Sequence, residues 1–440
     1  MNRPLQEHRS RATSSPDLAP ATPALQDCIA RYSAAIPDLA ELGERLAATR
    51  DPDTPIDLDA LIDLYEQCTP LLEKALWSGA ADFHALLADY QALFREQEAL
   101  IAQRCKQGQV RDDRHRFIVA IPVADRPPHL RACLESIYQV CTLFDYGGHE
   151  SGVWDKIQVV VSEDSRDEAN VRRHIALVDE YRQKGLQVIH FGLDEQYALL
   201  HALPPQQRER LGHLLTTQPR DRFWLKGQAA NRNLCYLKFL QLTQDRDRTL
   251  YYFVDSDESL CVNRQTACGE EVVHALPYFH AIDKIFRSTD TLMLTGKMVG
   301  DPPVSPAVMA ANFLDDVTAF FTRLAALPAE QACQFHDAAP QAGDAAYHDM
   351  AKLFGFDTQP ATFPYACRLA GAHDHVACLN DFSQRLNAFF FGEHLTRKTG
   401  FAYGSGYTPL APARTVYPGN YIVNYAGLKY VIPFGHLRLR

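Results

Sequence analysis

Apolar residues in the first quarter of the chain return at the spacing of a helix. Ile56, Leu58, Leu61, Ile62 and Leu64, then Leu71, Leu72 and Leu76, recur near every third or fourth position. Phe83, Leu86, Leu87, Tyr90, Leu93 and Phe94 do the same. Breaker-rich Asp51–Pro55 and Ser78–Gly79 divide the segment from Leu25 to about Gly108 into roughly three helices. Residues 1–25 are polar, rich in Pro, Ser and Ala, and free of any apolar run, so disorder is expected there. The pattern reads as a tail at 1–25 and a helical accessory domain at 26–110, suited to packing or to a protein partner. It gathers no catalytic groups.

After the charged stretch Lys106 to Arg116 the texture changes to strands alternating with helices. Arg116–Pro122 is a buried strand and Pro128–Val140 an amphipathic helix; Lys156–Val161 is a second strand, with a helix over Asp167–Lys184. Leu186–Phe191 makes a third strand, and a polar insert from Gly192 to Arg222 precedes a helix from Gly227 to about Gln244. Leu250–Val254 is the fourth strand. This order predicts a mostly parallel sheet joined by right-handed crossovers, an α/β domain over 111–440. Helical signal resumes at Ala307–Leu327, and the final fifth mixes Gly, Pro and aromatic residues with short strands up to a strand-like end at Arg440, as in a trimmed chain.

Composition narrows the class. A chain of 440 residues is too long for one ordinary domain, and its 46% hydrophobic and 22% charged content is that of a soluble globular protein. A formal charge of -10 gives no electrostatic reason to expect nucleic acid or an anionic membrane surface. The 11 cysteines are scattered, without a Cys-x-x-Cys pair, and read as reduced, mostly buried thiols. The N-terminus resembles neither a signal peptide nor a spanning helix, which makes the cytoplasm the expected compartment.

Candidate chemistry gathers at the strand ends. In Tyr251-Tyr252-Phe253-Val254-Asp255-Ser256-Asp257 a strand runs into two carboxylates two residues apart, so both emerge on one side. Adjacent anionic donors at a strand end suit a hard divalent cation carrying a diphosphate. A turn is the commoner meaning of Asp-x-Asp alone. The first strand ends in Pro122-Val123-Ala124-Asp125-Arg126 and the second in Ser162-Glu163-Asp164-Ser165-Arg166-Asp167, each opening a helix whose N-terminal amides favour an anionic or polar ligand. Asp164 or Ser165 could equally be a plain N-cap. Lys226-Gly227-Gln228-Ala229-Ala230-Asn231-Arg232-Asn233 starts a helix with small residues, and Arg232 offers a planar fork suited to a diphosphate.

Together these residues resemble the GT-A fold glycosyltransferases, family 2 types in particular. F-I-V-A-I-P-V-A-D-R is similar to their opening strand and V-V-V-S-E-D-S-R-D to their second-strand acidic motif. G-Q-A-A-N-R-N-L is similar to their Gly…Arg-Asn helix and Y-F-V-D-S-D to their metal-binding motif. The resemblance covers roughly Arg116 to Glu258 and implies a Rossmann-like donor half, about 111–260, joined to an acceptor half, about 261–440. It implies a nucleotide-diphosphate sugar held through Mn²⁺ or Mg²⁺, and an acceptor that is a glycan, lipid, small molecule or protein. By the same implication Pro122 and Asp125 would line the nucleoside pocket, with Glu163 or Asp164 facing the base. Gly227 would open the helix from which Arg232 touches the diphosphate. Asp255 would lie near ribose and metal, with Asp257 the direct ligand. The family's usual Asp-Asp-Gly-Ser is Ser162-Glu163-Asp164-Ser165 here, and no Gln-x-x-Arg-Trp motif of processive synthases occurs.

An inverting transfer needs a base from the C-terminal half. Gly371-Ala372-His373-Asp374-His375 and Phe391-Gly392-Glu393-His394 compete for that role. Asp374 is the favoured base and Glu393 the second, with His394 as a third metal ligand; any single histidine among 17 is more often structural. Other classes fit less well. Val254-Asp255-Ser256-Asp257 matches the phosphatase loop of the haloacid dehalogenases, but that loop follows a first strand, and here at least three precede it. A nucleotidyltransferase would need a glycine-rich loop that Val123–Pro128 lacks. A non-catalytic nucleotide-sugar-binding scaffold would keep the aspartates and need no base.

Overall fold

The computed structural model describes residues 22–49, 57–108, 111–149, 151–266, 269–296, 317–335, 367, 369, 371–390, 410 and 419–431. The chain divides into two compact units, Met1–Arg111 and Asp112–Arg440. Among the described residues no helix is long and apolar enough to cross a membrane.

Among the described residues the first unit holds four helices: α1 (Pro23–Tyr32), α2 (Asp38–Ala48), α3 (Leu58–Ser78) and α4 (Phe83–Gly108). One more break occurs than the periodicity suggests, because Pro37 has no N–H to donate and disfavours a helical residue before it. Asp57 caps α3 by accepting from the Asp59 and Ala60 amides at 3.0 and 3.1 Å, and Gly79 closes it at φ 72°. The apolar stripe of α3 packs on α4. Glu96 of α4 accepts from the Ala24 and Leu25 amides of α1 at 3.1 and 3.0 Å and from the Tyr65 hydroxyl of α3.

The second unit is built on a six-stranded sheet: β1 (Arg116–Val123), β2 (Ile157–Glu163), β3 (Gln187–Phe191), β4 (Thr249–Val254), β7 (Met293–Thr295) and β8 (Asn420–Asn424), in the order β3-β2-β1-β4-β8-β7. The first four are mutually parallel; β8 runs antiparallel between β4 and β7. A separate hairpin joins β5 (Val262–Thr266) to β6 (Gly269–Val273). The helices are α5 (Pro127–Phe144), α6 (Glu168–Gln183), α7 (Leu193–His201), α8 (Pro205–Leu211), α9 (Gly227–Leu242) and α10 (Tyr278–Ser288), then α11 at 317–325 and α12 (His375–Phe390).

Alternation along β1 explains why both faces are covered. Ile118 and Ala120 join Val160, Tyr251, Phe253, Tyr421 and Val423 in one core with Leu234, Cys235 and Phe239 of α9. On the other face Phe117 meets Tyr146 and Phe279, ring centroids 5.6 and 5.0 Å apart. Two apolar faces make the central strands β1 and β4 near-continuous hydrophobic runs. The stretch read as a polar insert folds into α7, α8 and a 3-10 helix over Arg220–Lys226, because Leu200, Leu215 and Phe223 are apolar enough to join the α9 core. Three strands precede β4, as the sequence order requires, which leaves the phosphatase reading without its first-strand loop.

Strand order positions the site. From β1 the chain moves outward through β2 to β3, then returns to the opposite side of β1 for β4. The order reverses between β1 and β4, and the crevice beyond their carboxyl ends is where open α/β sheets bind ligands.

Candidate functional site at the switch point

Three strand ends and one helix start converge at this crevice. Beyond β1, Asp125 takes a left-handed conformation, φ 52°, which a short polar side chain tolerates better than most. Its amide donates to Ser165 Oγ at 2.7 Å, and its carboxylate accepts from the Arg166 and Asp167 amides, each at 3.2 Å. Asp125 therefore latches the β1–α5 turn onto the start of α6, with Asp167 as the N-cap of that helix. Pro122 sits within β1 opposite Ser162, half-buried.

At the end of β2 the two acids go separate ways. Glu163 is fully buried: one oxygen accepts from the Asp164 and Ser165 amides, the other from His174 Nδ1 at 2.8 Å and His190 Nε2 at 3.2 Å. Burial pushes its carboxyl up, but these bonds outweigh burial and hold it well below the usual carboxylate range. Asp164 pairs with Lys226 Nζ at 2.6 Å, and the same ammonium donates to the Glu163 carbonyl at 3.1 Å. Here burial wins: Asp164 is raised to about 6 despite Lys226, and the Lys226 ammonium is lowered despite Asp164.

Gly227 makes this arrangement possible. Its φ of 79° and ψ of 168° lie where only glycine sits comfortably, and the turn lets Lys226 point beneath β2 while α9 begins at once. From Ala230 to Cys235 every residue of α9 is buried, polar residues included. Asn231 exchanges hydrogen bonds with Ser162, 2.7 Å from its hydroxyl and 3.2 Å to its carbonyl. Arg232, nearly buried, donates to Asp255 Oδ1 and to Gln228.

Beyond β4, Asp255 is partly open, its backbone amide held by the Gly419 carbonyl at 2.9 Å. Asp257 is 54% exposed, with the exposed Arg126 guanidinium 3.5 Å away. Glu258 completes a third carboxyl at this strand end. Burial, then the charges of Asp255 and Asp257, raise it to about 8, so it holds its proton at neutral pH. Asp255 and Asp257 together match what a hard cation with phosphate oxygens as its other ligands requires of a protein. The carboxyl oxygens here are not drawn into one tight cluster; among the described residues the His, Cys, Asp or Glu trio with ligand atoms within 4.8 Å of one another is Cys333, Cys367 and His373.

The structure thus brings Asp125, Glu163, Asp164, Gly227, Arg232, Asp255 and Asp257 to neighbouring strand and helix ends. Asp374 precedes α12 and caps it, accepting from the Ala377 amide at 2.7 Å. Glu393 and His394 lie outside the described residues. Sequence reasoning missed Lys226, His174, His190 and Glu258 as members of the site. Lys226 and Glu258 flank the quoted motifs and were legible as neighbours; the two histidines reach Glu163 from α6 and β3, which no local spacing signals.

Fold and site define a mixed α/β protein with a polar, net-acidic crevice at its topological switch point. No protein-family model matches the chain, and no curated protein matches it. Among solved structures it is similar to the mannosyltransferase PcManGT from Pyrobaculum calidifontis in complex with GDP-Man and Mn²⁺, at 16% identity and a TM-score of 0.19. The match covers 43% of this chain and 40% of that one, so this chain spans about two fifths of that protein's length. A likeness of that extent adds nothing to what the geometry itself supports.

Proposed function

We propose that the second unit is a GT-A-type glycosyltransferase, moving a sugar from a nucleotide-diphosphate donor to an acceptor by inverting, non-processive transfer with Mn²⁺ or Mg²⁺. One observation carries the reading: the two carboxylates after β4 emerge at the reversal of strand order, the crevice where such sheets take nucleotides. Asp257 and Asp255 would hold the cation, which when bound would neutralise charge building on the leaving diphosphate. Arg232, fixed against Asp255, is poised to exchange that carboxylate for a phosphate oxygen. Asp164 and Lys226 supply the polar floor beneath the nucleoside, and Asp125 fixes the turn that borders it. The acceptor side needs a carboxylate base, for which Asp374 and Glu393 remain the proposals.

Calorimetry with nucleoside diphosphates tests the donor site. Binding should require Mn²⁺, and Asp257→Ala should abolish it with little loss of stability, since the side chain is 54% exposed at a strand end. Equal affinity in excess chelator would remove the basis of the proposal.

A further inference from the structure

Far along the sequence from the acidic crevice, two thiols and an imidazole meet, with a third thiol beside them. Cys333 lies on a short segment paired antiparallel with 373–375: its amide donates to the His373 carbonyl at 2.9 Å, and Ala332 bridges Asp374. Cys367 is drawn to the same place, its amide 2.6 Å from the Phe335 carbonyl. Its thiol sits 3.1 Å from His373 Nε2. The ligand atoms of Cys333, Cys367 and His373 all lie within 4.8 Å of one another. Cys378, fully buried on the first turn of α12, lies beside this trio and interacts with both other cysteines, although its sulfur is not one of the three ligand atoms that share the 4.8 Å radius.

Three features go beyond proximity. His373 Nδ1 is 2.8 Å from the Gly371 carbonyl, so Nδ1 carries the proton and Nε2 turns a lone pair toward the sulfurs. That is how outer partners set a metal-binding imidazole. The Phe335 amide approaches Cys333 Sγ at 3.5 Å, a donor that stabilises a thiolate. Beside the cluster the buried rings of Phe320, Phe335 and Phe382 pack together, with centroids 5.4 and 4.8 Å from Phe320 to its two neighbours. Zinc–sulfur and zinc–nitrogen bonds of about 2.3 and 2.0 Å on a tetrahedron put three sulfurs and one nitrogen roughly 3.5–3.8 Å apart. Cys367 Sγ and His373 Nε2 are 3.1 Å apart and Cys333 Sγ is within 4.8 Å of both, so three of the ligands need only small shifts to reach that spacing, and Cys378 a side-chain adjustment.

We propose that Cys333, Cys367, His373 and Cys378 bind one structural Zn²⁺. Three thiolates and an imidazole are a soft, closed set; they suit zinc and leave no open position for a substrate. Binding would release the three thiol protons to solvent and tie the 331–335 segment, Cys367, the Gly371 turn and α12 into one body. The site is independent of the donor reading, which uses oxygen ligands and a harder ion.

The test uses full-length protein without a polyhistidine tag, expressed in zinc-supplemented medium and purified under reducing conditions. Elemental analysis should find about one zinc per chain, released on thiol modification. Cobalt exchanged into the wild-type protein should show thiolate charge-transfer absorption and the intense d–d bands of a tetrahedral sulfur-rich site. Cys378→Ser and His373→Ala should lose most of the zinc, while Asp257→Ala should retain it. Cobalt spectra of the wild type keep the proposal testable if a cysteine variant fails to fold. Metal-free wild-type protein, octahedral cobalt spectra, zinc retained by both ligand variants, or a disulfide among the three cysteines in protein purified without reductant would each overturn it.

Discussion

Glu258 turns the acidity of the strand end into a measurable pH effect. Its native carboxyl titrates near 8, above its ordinary value of 4.5, so between those values the folded protein holds a proton that the unfolded chain has lost. Stability in metal-free buffer should therefore fall as pH rises from about 4.5 to about 8. Glu258→Gln imitates the protonated acid and should flatten that slope in melting temperature; an unchanged slope would place its origin elsewhere. Asp374 poses a different question, because it already caps α12. Asparagine caps nearly as well as aspartate but cannot take a proton. Asp374→Asn should leave donor binding and stability near wild type and slow transfer by about 10²–10⁴. A rate close to wild type would pass the base to Glu393.

Among the elements, the junction into α9 is the one most dependent on a single residue. A Cβ on Gly227 would meet nothing within 4 Å, so any penalty there comes from the backbone alone. At φ 79° and ψ 168° that penalty is about 1–3 kcal/mol for Ala. Gly227→Ala should lower the urea-unfolding free energy by about that much and weaken nucleotide binding, because Lys226 and Arg232 stand on either side of the turn. A stability change below about 0.5 kcal/mol, the usual range for a neutral surface substitution, would mean the junction adjusts freely. α9 also shows why buried polar residues can be structural: Asn231 satisfies Ser162 from within the helix, and neither group is left unpaired.

At the scale of the whole molecule, all the residues proposed to hold the donor belong to the second unit, Asp112–Arg440. A chain beginning at Arg111 should fold and bind a nucleoside diphosphate with Mn²⁺ at an affinity within a few-fold of the full chain. If that shortened chain has native circular dichroism yet no affinity, the helical unit contributes directly to donor binding.

The first four strands were legible because each is a local apolar run, and a run buried on both faces needs no distant partner to be recognised. The acids and small residues after those runs were legible for the same reason: a strand end is a position in sequence as well as in space. What Asp255, Arg232 and Glu163 do with their charges was not, since their partners come from other elements. Arg232 closes on Asp255 across the α9–β4 connection, and Glu163 is enclosed by His174 and His190 from α6 and β3. Nor does local pattern reveal that Asn420–Asn424 inserts antiparallel beside β4, or that cysteines read as scattered converge on His373. Sequence alone determined the alternating architecture and where its polar strand ends fall, because periodicity and burial act over a few residues. Only the tertiary structure decided which charges neutralise one another and which thiols meet, because those pairings depend on how distant segments pack.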